Sequence, residues 1–312
     1  MTMTQISRMS EDEARAYLES ILWPDGPACP HCSSREVTRL RGKAHRKGVL
    51  KCRTCRKQFT VTVGSIFEDS HIPLQKWLLA CHLLCSSKKG MSSLQLKREL
   101  ELGSYRTALF MTHRIREAMT APLEEALKGV VEADETYVGG KPRPKDGKEH
   151  KTGRGTDKTP VAVNVERGGN SQAKPVEHVD GKTLKGFLAE NADPSAMVVT
   201  DEWAAYQGLA EAFAGGHEVI THGDGEYVRY AGKLAIHTNT AESFFALLKR
   251  GHYGVYHSMS RKHLGRYCHE FSFRWDHRKT NDGQRTVAAV AGAAGKRLTY
   301  REMVGKPSEE VR

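Results

Sequence analysis

Long hydrophobic runs are absent from this 312-residue chain. No stretch reaches the roughly 18 apolar residues of a membrane span, so none is expected. The opening residues, MTMTQISRMSEDEARAY, lack an apolar h-region, so no secretory signal is expected either. Negative charge is short: 37 Asp+Glu against 48 Lys+Arg leave a formal net charge of +11 and a pI near 9.3. That excess points to an anionic polymer or surface as partner and away from a typical small-molecule metabolic enzyme; it carries no information about fold. No internal repeat is apparent. The seven cysteines are odd in number and four sit in tight pairs, a pattern of metal binding rather than of a disulfide framework. Hydrophobic residues, at 38%, suffice for a moderate core. The length suggests about two domains, at roughly 150 residues each.

What is present begins with a short helix. Ser10 is a candidate N-cap and Glu13 would complete a capping box. Leu18, Ile21 and Leu22 recur at helical spacing, and Pro24-Asp25-Gly26-Pro27 ends the helix in a turn. Cys29-Pro30-His31-Cys32 follows, then nineteen residues, then Cys52-Arg53-Thr54-Cys55. Val37, Leu40, Val49, Leu50, Phe59, Val61 and Val63 are spaced as short strands around the pairs. Two thiolate pairs on hairpin tips can close one tetrahedral Zn²⁺ site, so Cys29, Cys32, Cys52 and Cys55 are the expected ligands of a structural zinc ribbon. Adjacent disulfides or free thiols are the competing reading. Four thiolates leave no open position for chemistry, and in so small a module the metal supplies much of the folding free energy. From Arg35 to Lys57 there are ten Lys/Arg and one acid, Glu36. This run, with Arg46, Lys47 and Arg53, reads as a phosphate-contacting surface or as a solvated basic face.

Residues 71–120 read as helices. Cys81 and Cys85 fall at i, i+4 among Trp77, Leu78, Leu79, Leu83 and Leu84, where buried thiols are expected over a second metal site. Ser92-Ser93 could cap a helix through Leu100, Leu102-Gly103-Ser104 makes a turn, and Tyr105–Met119 carries Arg106, His113, Arg114 and Arg116. This is either a helix-turn-helix, with Arg106 and Arg114 directed at DNA, or an ordinary helical hairpin.

Beyond it strands and helices alternate, which implies a mixed sheet with helices on its faces. Strands are expected at Val130–Val138, Val161–Val165, Pro175–Val179, Met197–Thr200 and Val219-Ile220, and helices at Leu184–Glu190, Glu202–Ala214, Thr240–Arg250 and His263–Arg278. Lys141 to Thr159 is a linker-like insertion, and Val287 to Gly295 is helical or packing filler. In Val131-Glu132-Ala133-Asp134-Glu135-Thr136-Tyr137-Val138, alternation puts Glu132 and Asp134 on one face and Glu135 and Tyr137 on the other. So many acids in an apolar strand repel unless a cation neutralises them or water reaches them. Asp201 ends a buried strand, where ligand sites open in α/β sheets, and is equally placed to cap the following helix. Glu242 and Lys249 share one helical face, which could also be a solvated stripe. The segment Arg229 to Lys279 holds ten Lys/Arg against three acids, a second candidate DNA surface.

The stretches VEADETYVGGK, VVTDEWAAY and HTNTAESFFALLKRG, in this order, resemble insertion-sequence transposases of the ISXO type. WPDGPACPHC, the CRTC pair and the closing GKRLTYRE fit the same family. The resemblance implies a multidomain α+β chain: an N-terminal zinc ribbon, a helix-turn-helix-like module and an RNase H-like α/β catalytic domain with a mixed sheet. The expected boundaries are 1–27 (helix and linker), 28–66 (ribbon), 67–125 (helical module), 126–280 (catalytic domain) and 281–312 (C-terminal extension). Carried over residue by residue, the catalytic acids are Asp134, Asp201 and Glu242, with Lys249 beside them. Two Mg²⁺ or Mn²⁺ ions are implied as catalytic cofactors. The implied substrate is double-stranded DNA, both transposon ends and target, cut and then joined through the freed 3′-OH. His237 and Asn239 just before the Glu242 helix, and Arg250 within it, would position DNA. Synapsis of two ends implies a homodimer or larger assembly on DNA, and a transposase of this kind implies a prokaryotic cytoplasm. A catalytically inactive zinc-ribbon regulator and a purely hydrolytic nuclease of the same fold are the alternatives.

Overall fold

The structure, a computed structural model, describes residues 1–120, 125–140 and 156–305. Most of the expected insertion lies outside the described residues. The chain divides into two compact units, Met1–Thr120 with Lys279–Arg312, and Ala121–Arg278. The five expected segments therefore gather into two bodies, and the C-terminal extension belongs with the N-terminal modules.

The first unit opens with α1 (Met3–Ser7) and α2 (Glu11–Leu22). The expected capping box closes α2: the Ser10 hydroxyl accepts the Glu13 N–H, and the Glu13 carboxylate accepts the Ser10 N–H at 2.7 Å. An antiparallel ribbon follows, of β1 (Val37–Arg39), β2 (Leu50–Cys52) and β3 (Gln58–Phe59). Its apolar centre is small, Leu50 and Phe59 with Trp23 edge-on to the Phe59 ring. Next come α3 (Leu74–Ser86), α4 (Ser93–Glu99) and α5 (Tyr105–Ala118). In α3, Cys81 and Cys85 are buried with Trp77, Leu78 and Leu84, and burial pushes the Cys81 thiol well up. These thiols are core residues. Ser92 caps α4, Ser104 caps α5, and the two helices pack against each other, as a helix-turn-helix and an ordinary helical hairpin both would. The first turn of α5 is open, with Tyr105 and Arg106 exposed, whereas every residue from Met111 to Arg116 is buried.

The second unit is built on a five-stranded sheet of β4 (Val130–Val138), β5 (Thr159–Glu166), β6 (Ser171–Pro175), β7 (Met197–Asp201) and β8 (His217–Ile220), with α6 (Gly181–Asn191) between β6 and β7. The order is β6-β5-β4-β7-β8, antiparallel through β6, β5 and β4 and parallel through β4, β7 and β8. This is the mixed sheet that the resemblance implies. A separate hairpin, β9 (Arg229–Ala231) and β10 (Leu234–Ile236), leads into α7 (Asn239–Gly251) and then α8 (Leu264–Asp276). Alternation along β4 holds. Val131 and Ala133 pack with Leu184, Phe187 and Leu188 of α6, and Val138 packs with Phe244 and Leu248 of α7 and Phe271 of α8. Helices therefore cover both faces.

Two expected elements are corrected. The strand read at Pro175–Val179 ends rather than begins at Pro175, because Gly168, at φ 76°, turns the chain and pairs Ser171 at once with Val165. Proline, without an N–H, closes the strand. No α-helix fills Glu202–Ala214. Two short 3-10 turns, Ala204–Tyr206 and Leu209–Glu211, stand either side of Gly208, whose left-handed φ of 80° breaks the helical run.

The chain then returns to the first unit as α9 (Asp282–Ala291) and α10 (Tyr300–Val304). α9 packs on α3, where His82 Nδ1 and Thr286 Oγ1 lie 3.0 Å apart. Of the Val287–Gly295 patch, the helix takes in only Val287–Ala291; Ala289, Val290 and Ala293 are buried, while Val287 and Ala294 are exposed. Gly292 sits so close to the Ala118 carbonyl that a Cβ there would lie 2.2 Å from its oxygen.

Candidate active site and metal centre

Each Cys-x2-Cys pair is followed by a non-glycine residue in the left-handed region, Ser33 at φ 59° and Arg56 at φ 61°. The Ser33 N–H closes its turn on the Cys29 carbonyl at 2.8 Å. Cys29 and Cys55 sulfurs lie 3.6 Å apart, as do those of Cys32 and Cys52, and all four lie within 4.8 Å of one another. Zn–S bonds of about 2.3 Å place tetrahedral sulfurs about 3.8 Å apart, so the cradle has the dimensions of a zinc site. The Cys55 N–H, donating to Cys52 Sγ at 3.5 Å, leads the influences that draw the Cys52 thiol down to about 6, towards the thiolate a metal needs.

Around this centre, Arg46, Lys47 and Arg53 are exposed. Lys47 pairs with Asp12, and Arg53 Nε donates to Thr38 Oγ1 at 2.9 Å. Arg106, on the open turn of α5, lies 5.9 Å from the Tyr300 ring centroid. Arg114 corrects its expected role. It is 4% exposed, donates to the Leu298 carbonyl at 3.1 Å and the Glu68 carbonyl at 2.5 Å, and stacks 4.8 Å from the Phe110 ring. Its guanidinium is spent inside the unit, where no DNA reaches it.

In the second unit, β4 and β7 run parallel with Glu132 opposite Val199. Two residues further along each strand stand Asp134 and Asp201, at equal height on neighbouring strands. Asp134 Oδ1 accepts the Glu135 N–H at 2.7 Å, and Asp201 Oδ1 accepts the Trp203 N–H at 3.1 Å. With no α-helix after it, Asp201 is not the helix cap that its position allowed. Burial, followed by the negative charge of Glu135 and then of Asp201 and Glu242, pushes the Asp134 carboxyl up to about 8. Glu242 is exposed in the first turn of α7, with Lys249 and Arg250 exposed in its last turn. Among the described residues, the four cysteines are the one group of three or more candidate ligands gathered within 4.8 Å; the carboxylates are spaced more widely. Asn239 is exposed, whereas His237 is half-buried with its Nδ1 3.3 Å from a Glu132 oxygen.

Two residues of this region carried no clear signal in the sequence. Tyr206 is buried and donates its hydroxyl to Glu135 at 3.2 Å; burial, followed by the negative charges of Glu135, Asp134 and Asp201, raises it well above an ordinary phenol. Glu132, one of the crowded acids of β4, is fully buried and salt-bridged at 2.6 Å to Arg167, in the turn after β5. The cation that neutralises it is a side chain of this chain. Removing either partner of such a pair would leave an uncompensated buried charge, at a cost of about 3–5 kcal/mol.

Residues 126–276 match the ISXO2-like transposase domain and residues 9–58 the transposase zinc-ribbon domain. An uncharacterized protein in transposable element ISH50 of Halobacterium salinarum is 34% identical over 280 residues, spanning 85% of this chain and 91% of that protein. The chain belongs to the ISXO2-like transposase family. Among solved structures, the crystal structure of the Mos1 strand transfer complex is similar at 12% identity and a TM-score of 0.28, over 71% of this chain and 79% of that one. The Mos1 transposase paired-end complex with left transposon end is similar at 13% identity and a TM-score of 0.24, over 70% of this chain and 80% of that one. Likenesses so distant add nothing to the sequence match.

Proposed function

We propose that this transposase binds the terminal inverted repeats of its insertion sequence and carries out metal-dependent DNA cleavage and strand transfer at Asp134, Asp201 and Glu242. The observation that carries the reading is Asp134, level with Asp201 on parallel strands and raised to about 8 by burial and by the charges of Glu135, Asp201 and Glu242. Such a cluster gains from a cation, and hard carboxylate oxygens suit Mg²⁺ or Mn²⁺. When bound, two such ions would stabilise charge on the attacking and leaving oxygens of an in-line displacement. The three carboxylates hold that charge in place, and no serine or tyrosine nucleophile is required. Lys249, exposed on the helix that carries Glu242, is suited to a DNA phosphate or to the charge of the transition state.

Recognition is assigned to the exposed cations. Arg46, Lys47 and Arg53 on the ribbon, Arg106 on the open turn of α5, and Arg250 with Asn239 on α7 would contact DNA. His237 would position the segment beside them. Two transposon ends brought together call for two or more chains on the DNA.

A gel assay tests the reading, with labelled terminal repeats, target plasmid and Mg²⁺. Joined products are expected. Binding without cutting would instead indicate a regulator, and nicks without joining a hydrolytic nuclease. Asp134→Ala, Asp201→Ala and Glu242→Ala are each expected to lose cutting and joining while still binding the repeats. Full strand transfer by any one of them removes that residue from the site.

A further inference from the structure

Helix α7 holds Glu242 in its first turn, yet Thr238 in front of it gives no side-chain cap. The cap comes from β4. Glu132 Oε2 accepts the Thr240 N–H at 2.7 Å and the Ala241 N–H at 3.0 Å, and Oε1 accepts the Thr240 hydroxyl at 2.8 Å. A fully buried carboxylate therefore satisfies two of the free amides at this helix N-terminus and lies at the positive end of its dipole. The opposite side of Glu132 is fixed by Arg167, which donates Nε to Oε1 at 2.6 Å, Nη1 to the Ala235 carbonyl and Nη2 to the His237 carbonyl at 2.7 Å. Those two carbonyls belong to the segment that leads into α7.

We propose that Glu132, locked by Arg167, is a positioning residue that sets the Glu242 carboxylate against Asp134. Glu132 lies two residues before Asp134 on the same face of β4, and its carboxylate grips α7 next to Glu242. One side chain thus ties the strand of the first aspartate to the helix of the glutamate. Sliding or rotation of α7 would carry Glu242 away from Asp134, and both are resisted by bonds to amides fixed in the helix. A counter-ion for Arg167 alone would need none of the contacts to Thr240 and Ala241. The proposal rests on the reading that Asp134, Asp201 and Glu242 form the metal-binding set.

The test uses full-length, zinc-loaded protein and the variants Glu132→Asp, Glu132→Gln, Arg167→Lys and Glu242→Gln. Glu132→Asp keeps the charge for Arg167 but is one methylene too short to reach both α7 amides as well. In the absence of added divalent metal, hydrogen exchange at Thr240 and Ala241 is expected to quicken at least tenfold in Glu132→Asp and Glu132→Gln, with Val161–Val165 unchanged. Mn²⁺ binding, read from the electron paramagnetic resonance of the free ion, is expected to weaken about 10–100-fold, as when a residue that orients a metal ligand is lost. Arg167→Lys, the mildest change, is expected to weaken it several-fold and keeps the test open if Glu132→Gln does not fold. Native exchange at Thr240 and Ala241 in Glu132→Asp, or wild-type Mn²⁺ affinity in Glu132→Asp or Arg167→Lys, overturns the proposal. If Glu242→Gln itself binds Mn²⁺ and cleaves like wild type, the reading of the carboxylate site falls and the proposal with it. Weak binding in Glu242→Gln beside normal binding in the Glu132 variants defeats the proposal alone.

Discussion

Arg114→Met separates a buried structural arginine from a DNA-contacting one. Methionine keeps an apolar stem of similar length and removes the guanidinium. Lost with it are the two bonds to the Leu298 and Glu68 carbonyls and the stacking on Phe110. Hydrogen bonds from a charged donor are worth about 1.5–3 kcal/mol each, and a desolvated cation–π contact about 2 kcal/mol. Against this stands the recovered cost of burying a charge, which also holds the Arg114 pKa below its ordinary value. A net loss of about 2–4 kcal/mol follows. At about 2–4 °C per kcal/mol for a unit of this size, the melting temperature of the first unit should fall by about 5–15 °C. Calorimetry measures that, and fluorescence anisotropy with a terminal-repeat duplex between 50 and 200 mM salt (roughly the range over which phosphate contacts are lost) measures the other side. Arg106→Ala should do the reverse, with an unchanged melting temperature and a salt slope shallower by about 1. An Arg114→Met protein with native melting and a shallower salt slope would refute the assignment of Arg114 to the core.

Other perturbations have equally defined outcomes. Stripping zinc with a chelator, or Cys52→Ser, should unfold the ribbon and abolish repeat binding, checked by circular dichroism and anisotropy; a folded, binding apoprotein contradicts a structural metal. Ser33→Gly relieves a left-handed backbone cost of about 1–2 kcal/mol, less the entropy that glycine adds to the unfolded chain, so the ribbon should gain about 0.5 kcal/mol in denaturant titration. Gly292→Ala should destabilise the first unit by about 1–3 kcal/mol, since its Cβ meets the Ala118 carbonyl. Asp134 is raised to about 8 from 3.8, so between those pH values the folded metal-free unit holds a proton that the unfolded chain has released. Its contribution to stability is therefore lost as pH rises through that window, and urea titration should find Asp134→Asn gaining on wild type from pH 5 to pH 8. A gain that shrinks over that interval reverses the sign and rejects the burial argument.

Local signals were the legible ones. The Ser10–Glu13 capping box and the bounds of β4 depend on neighbours within a few residues, the two Cys-x2-Cys pairs are each local motifs that meet across one short ribbon, and all are found as expected. Asp201 at a strand end was legible for the same reason. The misread positions answer to distant partners. Glu132 looked like one more acid in a crowded strand because its cation is 35 residues away and the amides it caps are 108 and 109 residues away. Arg114 sits on a basic helix whose outer side is covered by the Leu298 region, 184 residues on, and helical periodicity does not reveal such a cover. The helix expected after Asp201 failed at Gly208, where composition favoured helix and a single backbone angle did not.

The return of α9 to α3 also orders events during synthesis. His82 and Thr286, which meet in that contact, are 204 residues apart. At about 5–20 residues per second the ribosome needs roughly 10–40 s to deliver the second after the first. Through that interval α3 lacks the helix that covers part of its apolar surface, while the whole carboxylate-bearing unit, Ala121–Arg278, is being made. The unit that is translated first is thus the last able to close, and a chain cut short anywhere before Asp282 leaves it open.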